Sequence, residues 1–147
     1  MKTPYYPSSD DVEALVEAFI AKKLPKEAWT HEAHLAACVW HLLRHTTTET
    51  LLFLRSRIIT YNESVGGVNG LDSGYHETLT VFWIEAVNAF LQQADRTQPL
   101  HLLCQELFNG PYADRTLPLK FYDRQTVFST EARARFVSPD LQSLDTL

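Results

Sequence analysis

Positive charge, cysteine and long apolar runs are all scarce in this sequence, and each scarcity excludes a class of protein. The 13 lysines and arginines against 18 acidic residues give a net charge of −5, which argues against a nucleic-acid partner. The two cysteines, Cys38 and Cys104, form neither a metal-binding knuckle nor a disulfide framework. No segment reaches the ~20 apolar residues of a membrane-spanning helix, and the N-terminal segment lacks the apolar core of a secretory signal. We therefore expect a cytoplasmic protein with no membrane partner.

Glycine is also rare, but its placement is informative. Four of the five glycines fall in residues 65–74, here called the glycine loop, which runs directly into Tyr75 and His76. The loop lacks the Lys-Ser/Thr ending of a phosphate-binding loop, and no predicted strand precedes it, so it is not a nucleotide motif. Two interpretations remain. The loop is either a tight connection over one end of a helical bundle, or a cover for a pocket whose floor is His76.

Apolar residues recur at the 3.6-residue period of amphipathic helices over most of the chain. The pattern predicts helices at 10–22, 31–45, 48–63 and 75–93, a shorter one from 97–99 to 109–110, and a last one at 129–136. Residues 110–147 are interrupted by three prolines yet remain apolar, so we expect an irregular tail packed on the helices. The predicted fold is all-α: a single domain, 1–147, with four to five main helices in a bundle.

The second predicted helix carries four of the six histidines within a sector about 80° wide. These are His31, His34, His41 and His45. The sector flanks the apolar face, where polar side chains ordinarily lie, so we expect His41 and His45 to be solvated. His31 and His34 differ because they lie one turn apart at the helix N-terminus, where the helix dipole favours neutral imidazole. Neutral imidazole is the form that binds metal.

His76, at the start of the fourth predicted helix, is the candidate for a third metal ligand. Three imidazoles with one open position form a catalytic zinc site, and Fe, Mn or Ni accept similar donors. Glu77 is then the candidate catalytic group, as a general base or a fourth ligand, unless it simply complements the helix N-terminus. Hydrogen-bonded core histidines would leave the same pattern, so the metal centre and the structural interpretation both stay open.

Several residues are candidates for contact with a small-molecule ligand, because the glycine loop brings the end of the third helix beside His76. They are Trp29, Arg57, Tyr61, Asn62 and Tyr75. Three functions are compatible with this set. The first is a metal-dependent enzyme acting on a small molecule; the second is a metal-free module that binds a ligand against aromatic side chains. The third is a helical protein that interacts with another chain, including a second copy of itself as a homodimer.

Three segments of the chain resemble a family of small bacterial proteins of uncharacterised function. They are "WTHEAHL" (29–35), "YNESVGGVNGLDSGYHETLT" (61–80) and "ARARFVSPDL" (132–141). This resemblance implies a helical protein and adds no activity. A looser likeness is to the DinB-like helical bundles, in which histidines from separate helices hold a divalent metal. The spacing of His31 and His34 is one residue shorter than the His-x-x-x-His pair usual in those bundles.

Overall fold

The computed structural model describes residues 5–147 and contains helices of two kinds. The α-helices are α1 (Ser9–Ile20), α2 (His31–Leu42), α3 (Thr47–Ser64), α4 (Glu77–Gln93), α5 (Leu100–Asn109), α6 (Arg124–Val127) and α7 (Thr130–Ala134). Short 3₁₀ turns lie at Lys26–Ala28, Pro111–Ala113, Leu117–Lys120 and Leu144–Thr146. Residues 5–147 contain no β-strand, which confirms the predicted all-α bundle with an irregular tail. Over the same residues, no helix combines the length and apolarity needed to cross a bilayer.

Hydroxyl side chains define where α2 and α3 begin. The Thr30 Oγ1 accepts the Ala33 N–H at 3.2 Å, and the Thr46 Oγ1 accepts the Glu49 N–H at 3.1 Å while Glu49 accepts the Thr46 N–H in return. Such caps satisfy N–H groups that have no partner inside the helix. Because Thr46 already caps α3, α2 ends at Leu42, three residues before the predicted end.

Helix α4 is the central element of the fold. It contacts both α2 and α3, and its other side contacts α7 and the turn at Pro111–Ala113. The main core lies between the first five helices. A second core is formed between α4 and the tail by the buried residues Phe82, Ala86, Leu117, Phe121, Tyr122 and Val127. The tail therefore packs on the outer face of α4. This contact helps to fix the position of the N-terminal end of α4 and of the segment just before it.

The prediction that His41 is solvated is wrong. Its side chain is fully buried, its Nδ1–H donates to the Ala37 carbonyl at 2.6 Å, and its Nε2 accepts from Arg57 Nη1 at 2.5 Å. Helix α3 packs against the side of α2 that carries His41, so this side is covered by a neighbouring helix. Desolvation lowers the pKa of His41 to about 4. His45 is half-buried, with its ring 4.6 Å from that of Phe53.

Candidate functional site

A cleft of about 690 Å³ lies between α2, α3 and α4, with the glycine loop on its rim. Seven of the nine predicted site residues line it: Trp29, His31, His34, Tyr61, Asn62, Tyr75 and His76. The other two do not. Arg57 is hydrogen-bonded to His41, and Glu77 is ion-paired with Arg55. The structure therefore brings together residues from segments far apart in the sequence. Arg57, a predicted ligand contact, and Glu77, the predicted base, are not part of the lining.

Asn69 holds the glycine loop against the end of α3. Its Oδ1 accepts from Asn62 Nδ2 at 3.1 Å and from the Tyr75 N–H at 2.9 Å, and its Nδ2 donates to the Ile59 carbonyl at 2.9 Å. Gly74 has φ of +80°, and a Cβ there would lie 2.5 Å from the Val68 carbonyl oxygen. Only glycine fits so close an approach in this left-handed conformation. The loop is thus a tight connection, and it also forms part of the cleft wall.

His31 and His34 each use one ring nitrogen for the fold and leave the other free. His31 Nε2–H donates to the Ala113 carbonyl at 2.8 Å, and His34 Nδ1–H donates to the Thr30 carbonyl at 2.7 Å. A carbonyl oxygen only accepts, so these bonds fix both tautomers. The remaining nitrogens, Nδ1 of His31 and Nε2 of His34, have no hydrogen-bond partner among the described residues. Each presents a lone pair that can accept a hydrogen bond.

The environment of His34 keeps it neutral. The side chain is accessible to solvent, yet desolvation by the surrounding protein lowers its pKa to about 4, with smaller contributions from its neighbours His31 and Arg115. A side chain that is accessible and still desolvated lies in a concave surface. The hydrogen bond to the Thr30 carbonyl opposes this shift without cancelling it. At neutral pH, His34 is therefore an acceptor facing the cleft.

Trp29 and Tyr61 form an aromatic wall behind His34. The Trp29 ring packs against Phe19 at a centroid distance of 4.1 Å and against His34 at 3.9 Å. Phe19 and His34 therefore occupy the two faces of the indole, so Trp29 offers the cleft its edge rather than a stacking surface. Tyr61 is buried, and its hydroxyl donates to the Leu24 carbonyl at 2.9 Å. Trp29 thus packs directly on His34, and Tyr61 packs on Trp29 with a ring-centroid distance of 5.5 Å.

His76 is the N-cap of α4, one residue before the helix begins, and not part of its first turn as predicted. Its Nδ1 accepts the Leu79 N–H at 3.1 Å, and its Nε2–H donates to the Val127 carbonyl at 2.7 Å. Burial lowers its pKa. Both ring nitrogens are thus already hydrogen-bonded within the protein. A metal ion on His76 would require one of these bonds to break.

No group of three or more His, Cys, Asp and Glu side chains in residues 5–147 is arranged to hold a metal ion. The metal centre on His31, His34 and His76 stays a prediction. The free nitrogens of His31 and His34 are the two donors that a metal would find without rearrangement.

Glu77 links α3 to α4. It accepts from Arg55 Nε at 2.9 Å, from Arg55 Nη2 at 2.5 Å and from the Tyr75 hydroxyl at 2.6 Å. Burial alone would raise the pKa of Glu77, but the bonds from Arg55 and Tyr75 outweigh it and hold this pKa below its usual value. Burial raises the pKa of Tyr75, and the adjacent carboxylate adds to the rise. The ion pair thus fixes Tyr75 at the rim of the cleft.

The cleft also contains residues that sequence reasoning missed. Its apolar walls include Leu54, Ile58 and Leu79, and two cations, Lys26 and Arg115, complete its lining. The apolar residues lie in helices whose periodicity marks them only as core positions. Arg115 comes from the irregular tail, where no local pattern indicates which part of the bundle it contacts.

Comparisons with known proteins assign neither a family nor a function to this cleft. No protein-family model, no curated protein and no solved structure matches the chain. The resemblance to a family of small bacterial proteins stays a prediction. The argument for function therefore depends on the geometry of the cleft.

Proposed function

We propose that this protein binds a small, largely apolar organic molecule in the cleft, without needing a metal ion. One observation carries the proposal: two imidazoles, His31 and His34, each leave one ring nitrogen without a partner among the described residues in a concave site of about 690 Å³. Ligand sites are typically clefts of roughly 300–1,000 Å³ with apolar walls and a few placed polar groups. The walls supplied by Leu54, Ile58 and Trp83 fit that description.

The two imidazoles define the polar part of the ligand. Neutral imidazole nitrogens without a proton accept hydrogen bonds, so the matching group on the ligand is a hydroxyl or an N–H. A ligand that covers these acceptors without supplying a donor leaves them unpaired, which costs about 1–3 kcal/mol each. We therefore expect an alcohol to bind tighter than its methyl ether, by at least about five-fold if one such bond forms.

The proposal is tested with naphthylethanol and its methyl ether as probes, using calorimetry and the ligand-induced rise in melting temperature. Ile58→Trp places a large side chain in the cleft and is expected to abolish binding of both probes. Leu52→Trp is the matched control, because Leu52 lies on the same helix but is exposed and outside the cleft. Equal binding by the two variants would show that the probes bind elsewhere and would overturn the proposal.

The metal-dependent enzyme is the competing hypothesis, and elemental analysis separates the two. Protein purified without an affinity tag is expected to carry no stoichiometric Zn, Fe, Mn or Ni, and chelation is expected to leave probe binding unchanged. Stoichiometric metal that is lost in His76→Ala would replace our proposal with the metal centre. The homodimer is a separate prediction, tested by the solution mass of the intact chain.

A further inference from the structure

The lining of the cleft is basic although the protein as a whole is acidic. The chain has 18 acidic residues against 13 lysines and arginines. Among residues 5–147, the lining includes Lys26 and Arg115 and no aspartate or glutamate. Both cations are exposed, which places them at the mouth of the cleft. This local reversal of charge indicates a ligand with negative charge.

Neither cation forms an ion pair within the part of the chain that the structure describes. The ion pairs within residues 5–147 join Arg44 to Glu13, Arg55 to Glu77 and Arg135 to Glu131. None involves Lys26 or Arg115, so both remain available to an anion. The charge of Arg115 also reaches the interior of the site, because it is one of the contributions that lower the pKa of His34.

Two carboxylates next to lining residues in the chain are committed to other partners. Glu77 accepts a bidentate pair of hydrogen bonds from Arg55. Asp114, next to Arg115 in the chain, accepts from the Thr116 N–H and from the Thr116 hydroxyl, both at 2.8 Å. Glu77 and Asp114 thus have partners of their own, whereas Lys26 and Arg115 have no ion-pair partner within residues 5–147. Burial raises the pKa of Tyr61, and Glu27, next to Lys26 in the chain, is close enough to add to this rise but is not part of the lining.

We infer that the natural ligand is a monocarboxylate whose apolar body also carries a hydroxyl or N–H, bound with its carboxylate at the mouth, where Lys26 and Arg115 lie, and with its donor group at the imidazoles. This inference rests on the proposed function. The orientation follows from His34, because the lone pair of this neutral imidazole repels a carboxylate placed against it. Inside the cleft, the apolar body contacts aliphatic and aromatic side chains, and Arg115 offers the planar fork that suits a carboxylate.

The test compares probes that all carry a hydroxyl for the imidazoles and differ in the group at their other end: hydroxynaphthylacetate, hydroxynaphthylethanol and hydroxynaphthylethylamine, with omega-hydroxydecanoate and decanediol as an aliphatic pair. Calorimetry at low ionic strength is expected to show the acids binding about five-fold tighter than the alcohols, and the amine weakest. Added salt is expected to weaken the acids alone, because it screens exposed charges. The naphthyl and decyl probes also distinguish aromatic from aliphatic acids as the preferred body.

Two double variants remove the same charge from different places. Lys26→Gln with Arg115→Gln is expected to make acid and alcohol bind equally. Lys23→Gln with Arg96→Gln removes two exposed cations outside the cleft and is expected to keep the preference for the acid. Alcohols that bind as tightly as acids to the unmodified protein would overturn the inference and leave the proposed function standing. If none of the five probes bound, the proposed function itself would fail.

Discussion

Replacing His41 with leucine keeps most of the side-chain volume but removes a hydrogen-bonding and titrating group from the core. In the native protein, His41 is fully buried and accepts from Arg57 at 2.5 Å. Leucine leaves the half-buried guanidinium without this acceptor, so we expect His41→Leu to lower the free energy of unfolding by about 1–3 kcal/mol at neutral pH.

The same substitution is expected to become harmless in acid. Burial lowers the pKa of His41 from 6.5 to about 4, so the fold favours the neutral imidazole. The resulting stability is fully present above pH 6.5 and is lost as the pH falls towards 4. Between pH 7 and pH 4.5, this one group removes about 2.5 kcal/mol from the native protein by proton linkage. The variant has no such group, so the two stability curves are expected to meet or cross.

Urea denaturation of both proteins at several pH values between about 4.5 and 7 measures this directly. Other titrating groups contribute to both curves and cancel in the difference. A difference that stays constant with pH would refute the claim that the fold holds His41 neutral. If His41→Leu lost no stability at neutral pH, that result would instead support the expectation from sequence that His41 is solvated.

Three further predictions concern the loop and the start of α4. Gly66 and Gly74 both have positive φ, but of the two only Gly74 would place a Cβ 2.5 Å from a backbone oxygen. Gly66→Ala should therefore lower the free energy of unfolding by about 1 kcal/mol, and Gly74→Ala should lower it by about 3 kcal/mol or more. Urea denaturation of both variants measures this difference. His76→Ala should cost about 2 kcal/mol by removing a cap and a core hydrogen bond, whereas His76→Asn should restore the cap and recover about half in the same assay. Glu77→Gln should cost about 1–2 kcal/mol, a value reduced by the partial exposure of Arg55, and equal unfolding midpoints with the native protein would show that the ion pair adds nothing.

Much of the helical framework follows from local sequence, because capping and periodicity act over a few residues. Thr30 and Thr46 mark the starts of α2 and α3 because their hydroxyls bond N–H groups three residues ahead. The tail follows different rules. Helix α6 begins after Asp123, whose N–H donates to the Asp140 carboxylate at 2.9 Å. A contact between residues 17 positions apart leaves no periodic trace, so this helix is not predicted from the sequence.

The candidate site also combines features that depend on local sequence with features that depend on long-range contacts. The position of His31 and His34 on one side of a helix is a local property, and their place in the cleft follows from it. The partners that decide their chemistry are not local. The Ala113 carbonyl, which fixes the tautomer of His31, lies 82 residues along the chain, and the pairing of Glu77 with Arg55 depends on how α3 crosses α4. Sequence analysis therefore identifies the imidazoles but not the hydrogen bonds that make each one a donor or an acceptor.

His41 also indicates what the free nitrogen of His34 is suited to bind. Both side chains donate Nδ1–H to the carbonyl four residues earlier, His34 to Thr30 and His41 to Ala37, so both present Nε2 as an acceptor. At His41 this acceptor is filled by the guanidinium N–H of Arg57, which comes from α3. At His34 the equivalent position opens into the cleft and no described side chain fills it. The two histidines therefore share one local geometry, but the donor that Arg57 supplies at His41 is replaced by open space at His34. This difference supports a ligand that supplies the missing hydroxyl or N–H. A metal ion would also use this lone pair, but its third predicted ligand, His76, is already bonded at both nitrogens.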